Sequence, residues 1–388
     1  MRHWLGVGPA ARILFALTSG GLLLASCGGA GHVPSKSPRP SPSSSAPACS
    51  NQSVLATWSV DQLAEQVVAI PVQETDVDAV QSEVAQGVGG LLLFGTAAPS
   101  NLGAQLKALE TGAPGGIAPL VMTDEEGGGV QRMANLVGSL PWARQMGSTM
   151  TAAQIESAAE SVGQAMLAQG VTMDLAPVLD VDGGVGPNAT DPDGSRSFSA
   201  NPSVASSDGL AFAEGLVAAG VIPVVKHFPG LGGASGNTDD RPATTQPYSA
   251  LQTGGLVPFD AAVQAELPAV MVANASVPGL TTAPASLSSA AIQGLLQDQL
   301  HFQGLILTDS LSAGSITALG LNVAQATVQA IAAGADMVTF GSGSPALVTA
   351  AVDAAMTAAV ADGQVSTARL SNAVSQILAA KRVDLCSK

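Results

Sequence analysis

The sequence predicts an α/β fold, a (β/α)8 TIM-type barrel built as a single domain, and three observations carry that expectation. Eight short runs of nearly continuous hydrophobes recur along the chain, separated by Ala-rich stretches with helical periodicity. Strands that covering helices bury on both faces read in this way. Polar residues stand directly after several of these runs, and no second composition shift or long linker interrupts residues 54–383.

Taken in order, the candidate strands are Val67–Ile70, Gly90–Phe94, Pro119–Thr123, Met173–Pro177, Pro223–Lys226, Ala269–Ala273, Gly304–Thr308 and Met337–Phe340. Periodic segments such as Ala152–Gln169, Ser203–Ala219 and Ala324–Ala333 supply helices between them. Barrel enzymes gather their working groups at the C-terminal rim of the strands. That rim would hold Asp124 and Glu126, Asp174, Lys226 and His227, Asn274, and Asp309. A doubly wound open sheet is the alternative, but it would spread the same residues along an edge where they do not converge.

Ahead of the barrel, residues 1–26 read as a lipoprotein signal peptide and 27–53 as a Pro/Ser-rich tether, leaving 54–388 for the barrel. Arg2, His3 and Arg12 make a basic start, and the apolar stretch Ile13–Ala25 ends at Leu24-Ala25-Ser26-Cys27-Gly28. That ending resembles the bacterial lipobox, whose cysteine is diacylated and becomes the mature N-terminus. An ordinary signal peptide is the alternative; a spanning helix needs roughly 20 apolar residues, more than this run supplies. With Cys27 lipidated, the remaining Cys49 and Cys386 bracket the domain, and an oxidising envelope permits a disulfide between them. The three cysteines lack metal-site spacing.

Apolar residues make up 46 % of the 388 and charged residues 11 %, the balance of a globular protein with a large core. The formal net charge of −15, from 14 Lys+Arg against 29 Asp+Glu, repels polyanions and argues against a nucleic-acid partner.

Three segments carry chemistry. Thr123-Asp124-Glu125-Glu126-Gly127-Gly128-Gly129-Val130-Gln131-Arg132 is acidic, then glycine-rich, then basic. Its glycines would let backbone approach a ligand closely; a solvated loop and a sugar-binding loop are equally open readings. Lys226-His227-Phe228-Pro229-Gly230 follows a buried strand, where the two basic residues would donate hydrogen bonds to sugar hydroxyls, unless His227 is a core histidine. Asp309 ends the apolar strand Gly304–Thr308, and a carboxylate there needs donors or a task, which makes it a candidate nucleophile toward an anomeric carbon.

Together these segments resemble glycoside hydrolase family 3, in its single-barrel β-N-acetylglucosaminidase branch. The matching stretches are Asp124–Gly128 with Gln131-Arg132, Asp174–Val181, Arg196-Ser197-Phe198, Lys226–Gly230, Gly304–Asp309 and Ala333–Met337, in family order. The resemblance places Asp309 on the nucleophile. It places Asp124, Arg132, Arg196, Lys226 and His227 on residues that hold the sugar in the −1 subsite. It implies no metal or organic cofactor.

The chain departs from that branch after Lys226–Gly230. Where the branch carries Asp-Ser-His, with the histidine as general acid/base, this chain reads Asn237-Thr238-Asp239. The four histidines are His3, His32, His227 and His301, and none lies in this loop. Asp239 is the expected replacement, since burial or a neighbouring anion raises a carboxyl pKa into a useful range. Asp240, Glu125 and Glu126 are alternatives, as is loss of the acid/base altogether. Asn274 replaces a frequent histidine, and its amide would bond a sugar hydroxyl.

These readings converge on a retaining exo-β-N-acetylglucosaminidase, lipid-anchored on the outer side of the cytoplasmic membrane. Its partner would be an N-acetylglucosamine-containing glycan or muropeptide, and water rather than phosphate the acceptor. With three Trp and one Tyr, an exo-acting pocket fits better than a long stacking groove. Another exo-β-glycosidase, or a non-catalytic sugar-binding lipoprotein, remains open at this level.

Overall fold

The computed structural model describes residues 49–387; Cys27, the signal peptide and the tether up to residue 48 lie outside the described residues. Eight parallel strands form the barrel: β1 (Val68–Gln73), β2 (Gly90–Phe94), β3 (Leu120–Thr123), β4 (Met173–Asp174), β5 (Ile222–Phe228), β6 (Ala269–Val272), β7 (Leu305–Thr308) and β8 (Val338–Thr339). Each pairs with its neighbour in chain order, β8 returns to β1 through Val68↔Val338, and a bridge between Leu307 and Met337 links β7 to β8. All eight expected strands are present, some displaced by a few residues.

The strands are buried because their side chains fill the barrel on one face and meet helices on the other. Leu91, Val121, Val224, Val270 and Ile306 are each at most 1 % exposed. The expected helices appear as Ala152–Ala168, Pro202–Ala219 and Val323–Ala333. Thr151 and Asn322 form capping boxes that supply the first-turn donors with acceptors, and Gly220 and Gly334 end their helices in the left-handed conformation.

The last helix, Thr367–Ala380, closes the barrel floor. Arg369 donates to the carbonyls of Ile331 and Gly334 at 3.1 and 3.0 Å and pairs with Asp336 at 2.8 Å, while Gln376 reaches the carbonyl of Gln303. These partners precede β7 and β8, so the helix lies on the side opposite the C-terminal rim. The first helix, Asn51–Leu55, begins ahead of the boundary expected at Val54. Asn51 bonds Val383 and Leu385 on the same side, and a disulfide joins Cys49 to Cys386 with Cα atoms 5.9 Å apart. No helix among the described residues is long and apolar enough to cross a membrane.

Candidate active site

At the C-terminal rim a cavity of about 480 Å³ is lined by Asp124, Arg132, Arg196, Lys226, His227, Asp239 and Asp309, together with Glu126. The seven expected catalytic and sugar-binding positions thus share one cavity, although they come from separate strands and loops. His301 is exposed and precedes β7, on the floor side.

Local geometry explains how each residue arrives. The register of β5 with β6 slips between Val225 and Phe228. Adjacent residues of a regular strand point to opposite faces, whereas here Lys226 and His227 both reach the cavity. Lys226 Nζ bridges Asp124 at 2.8 Å and Glu126 at 2.7 Å. Arg196 forks onto Glu126 with two bonds of 2.8 Å. Arg132 lies 3.4 Å from Asp124 and stacks over the Phe94 ring, 5.6 Å from its centroid.

The charges tune one another. Burial pushes Asp124 up, but Lys226 and Arg132 outweigh it and leave the carboxyl below its ordinary value. Glu126 is likewise driven up by burial and then far down by Arg196 and Lys226. Burial works against the Lys226 ammonium, yet Asp124 and Glu126 raise its pKa. This interlocked set presents ionised donors and acceptors to a polyhydroxyl ligand.

Asp309 follows β7, and its Oδ1 accepts from the Ser310 amide at 2.7 Å. Burial raises its pKa and Asp239 adds to the rise, while the Ser310 amide and Lys226 oppose it. Asp239 sits exposed at the cavity rim. The protein walls around its carboxyl raise its pKa, Arg196 opposes the rise, and Asp240 and Asp124 add to it. Its loop is tied to the segment after Asp309: Gly314 N donates to Asp239 O at 2.8 Å and Ser315 N to Thr238 O at 3.0 Å. A Cβ on Gly314 would lie 2.4 Å from the Asp240 carbonyl, so only glycine permits this approach. Asn237 caps the turn by accepting from the Asp239 amide.

Several sequence expectations change in the folded protein. Gly128 and Gly129 lie outside the cavity lining and are required by the protein itself; Cβ atoms there would collide with the Trp142 ring at 2.0 and 2.9 Å, because the hairpin after β3 folds onto that indole. Glu125 is fully buried, accepts from the Met133 amide and Gln131, and has its pKa raised by burial to about 7. It does not line the cavity, and Glu126 is locked between two cations, so neither stands ready as a proton donor. Asp240 is exposed and outside the cavity lining as well. Asp174 lies beneath the rim, holding the Glu125 amide. Asn274 does not line the cavity; it donates to Ser310 O at 2.7 Å and accepts from Ser286 at 2.6 Å, fixing the backbone after Asp309.

The sequence reading missed Asp180 and Asp193. Both are fully buried beside His227, and together these three are the one group of metal-ligand type found among the described residues. Asp180 lies 2.6 Å from His227 Nδ1 and also accepts the His227 and Leu231 amides. A separation of 2.6 Å is that of a hydrogen bond, and the carboxylate is already supplied with donors, so the geometry is that of a proton shared with the ring rather than an ion.

Comparison with known proteins agrees with this architecture. Residues 59–380 match the model of the glycosyl hydrolase family 3 N-terminal domain. The beta-hexosaminidase LpqI of Mycobacterium tuberculosis is 36 % identical over 284 residues, 71 % of each chain. The structure of a beta-N-acetylhexosaminidase from Beutenbergia cavernae superposes with a TM-score of 0.76 at 29 % identity, covering 84 % of this chain and 100 % of that one. A family 3 beta-N-acetylglucosaminidase from a Paenibacillus species gives 0.78 at 28 % identity, covering 84 % and 62 %. A barrel that carries its ionised residues at the C-terminal rim, matched along nearly all of its length, belongs to glycosyl hydrolase family 3.

Proposed function

We propose that the protein is a retaining exo-β-N-acetylglucosaminidase acting on terminal N-acetylglucosamine of cell-wall glycans or muropeptides. We propose further that a lipid on Cys27 anchors it on the outer side of the cytoplasmic membrane. The reading rests on one observation above all: Asp309 and Asp239 line the same cavity, which is already furnished with paired cations and carboxylates. The hexosaminidase and acetylglucosaminidase relatives favour the N-acetylated sugar over a plain glucoside.

In the first half-reaction an Asp309 carboxylate oxygen bonds the anomeric carbon as the glycosidic C–O bond breaks, and Asp239 gives its proton to the departing oxygen. In the second, Asp239 takes a proton from water, the water oxygen bonds the anomeric carbon and Asp309 leaves. Two inversions retain the β configuration. A cavity of about 480 Å³ suits a short glycan end rather than a long polysaccharide groove, which fits removal of terminal residues.

Hydrolysis of an aryl β-N-acetylglucosaminide by wild type, Asp309→Ala and Asp239→Ala tests the proposal. Asp239→Ala is expected to lose about 10²- to 10⁴-fold and to recover with azide, giving the β-glycosyl azide. Asp309→Ala is expected to lose the retaining reaction. Faster turnover of the matching glucoside would point to another exo-β-glycosidase, and sugar binding without any turnover to a binding lipoprotein.

A further inference from the structure

We propose that Asp180 is a positioning residue that holds neutral His227 in its Nδ1–H tautomer, so that Nε2 enters the cavity as a hydrogen-bond acceptor for a sugar hydroxyl. The inference deepens the reading above and relies on it for the sugar.

The backbone sets the ring. Asp180 Oδ2 receives the His227 backbone amide at 3.1 Å and meets its Nδ1 at 2.6 Å, while Oδ1 takes the Leu231 amide at 2.5 Å. One residue thus offers two N–H groups to the same carboxylate, and a flipped ring would set a C–H there instead. Burial pushes the Asp180 carboxyl up to about 7, and the Leu231 amide, Arg196 and the His227 amide work against that rise and favour the anion. Both Asp180 oxygens already receive backbone N–H groups, so the ring at 2.6 Å is placed as a third donor to a group that, when ionised, only accepts. Among the described residues this is the only hydrogen bond of the His227 ring, which lines the cavity. With Nδ1 turned into the wall, Nε2 faces the opposite way, toward the sugar.

The surroundings keep the ring neutral. Burial first, then Arg196, lowers the His227 pKa to about 4, and the nearby carboxyls do not prevail against them. Asp193 Oδ1 lies 4.0 Å from Nδ1, and neither of its oxygens finds a hydrogen-bond donor. Burial first, then Asp180, drives the Asp193 carboxyl far up, so it stands beside the ring as a neutral acid. Lys226 is a donor; His227 as an acceptor gives the adjacent pair complementary roles, and a hydroxyl that donates to one nitrogen accepts from the other.

Two measurements test this. In the full-length chain labelled with ¹⁵N-histidine, four rings contribute signals, and the His227 signals are identified by their loss in His227→Gln. At neutral and alkaline pH a protonated Nδ1 with a bare Nε2 is expected; a dominant Nε2–H tautomer, or averaging of the two, overturns the proposal. Second, Asp180→Asn is expected to lower kcat/KM by about 10- to 100-fold in the wild-type background but by less than about threefold in His227→Gln, because coupled sites are non-additive. Equal losses in both backgrounds would mean that Asp180 acts on the fold and not through His227. The NMR arm needs no turnover, so failure of the proposed activity and failure of the tautomer are separate results.

Discussion

Arg196 and Glu126 meet fork to fork: Nε lies 2.8 Å from Oε2 and Nη2 lies 2.8 Å from Oε1. The loop after β4 is thereby fastened to the hairpin after β3, and the same Glu126 holds Lys226. Asp182, Gly194 and Ser197 backbone oxygens, all gripped by Arg144, complete the loop.

Glu126→Gln therefore acts on sugar binding without touching Asp309 or Asp239. It removes the charge that orients two cations, and charge-assisted bonds of this kind are worth on the order of 1.5–3 kcal/mol. A loss of kcat/KM of about tenfold or more is expected, carried mainly by KM. Arg196→Lys is expected to behave similarly, since an ammonium cannot reproduce the planar fork. Kinetics of Glu126→Gln indistinguishable from wild type would show that the network is not needed to hold the sugar.

The pH profile follows from two raised carboxyls. Asp309 must be ionised to attack, and burial with Asp239 lifts its pKa above the ordinary 3.8. Asp239 must be protonated to donate, and its own pKa is raised as well. A bell-shaped profile results, whose two limbs belong to the coupled pair. In Asp239→Asn the alkaline limb disappears, while the acidic limb does not move to lower pH, because Asp309 ionises in the productive form while Asp239 is still protonated and uncharged. An alkaline limb that persists in Asp239→Asn would rule out Asp239 as the group that must stay protonated.

Water is expected to outcompete phosphate as acceptor. In the second half-reaction Asp239 is an anion at the rim, and the cations deeper in the cavity are already paired with Asp124 and Glu126. A phosphate dianion would meet repulsion without a free counter-charge. Added phosphate should leave turnover unchanged with no sugar 1-phosphate among the products. A phosphate-dependent rate increase would refute this.

Much of the barrel was legible because parallel strands covered on both faces are written as unbroken hydrophobes, as Gly90–Phe94 and Leu305–Thr308 illustrate. Site residues at strand ends, such as Asp309 and Lys226, were visible for the same reason. What sequence did not disclose depends on contacts between distant segments. Asp180 sits beside His227 because Val178 bridges Lys226 across adjacent strands, a register no local pattern encodes. Gly128 reads as a ligand-approach glycine until Trp142 is seen against it. Asn274 reads as a sugar contact until Ser310 is found in front of it.

The last prediction concerns stability away from the cavity. Glu65 is 6 % exposed, and its Oε2 and Asp353 Oδ1 are buried without donors. Burial first, then Asp353, raises the Glu65 pKa from 4.5 to about 8, so the two carboxyls share a proton in the folded protein. Because the folded pKa exceeds the unfolded one, the stability tied to this proton is complete below pH 4.5 and is lost as pH rises toward about 8. Glu65→Gln supplies a neutral donor to Asp353 and removes that dependence. At pH 7.5 the variant should be more stable by on the order of 1 kcal/mol, or about 2 °C in Tm, with a flatter Tm profile between pH 4.5 and 8. A lower Tm, or a profile as steep as that of wild type, would show that the pair does not hold a shared proton.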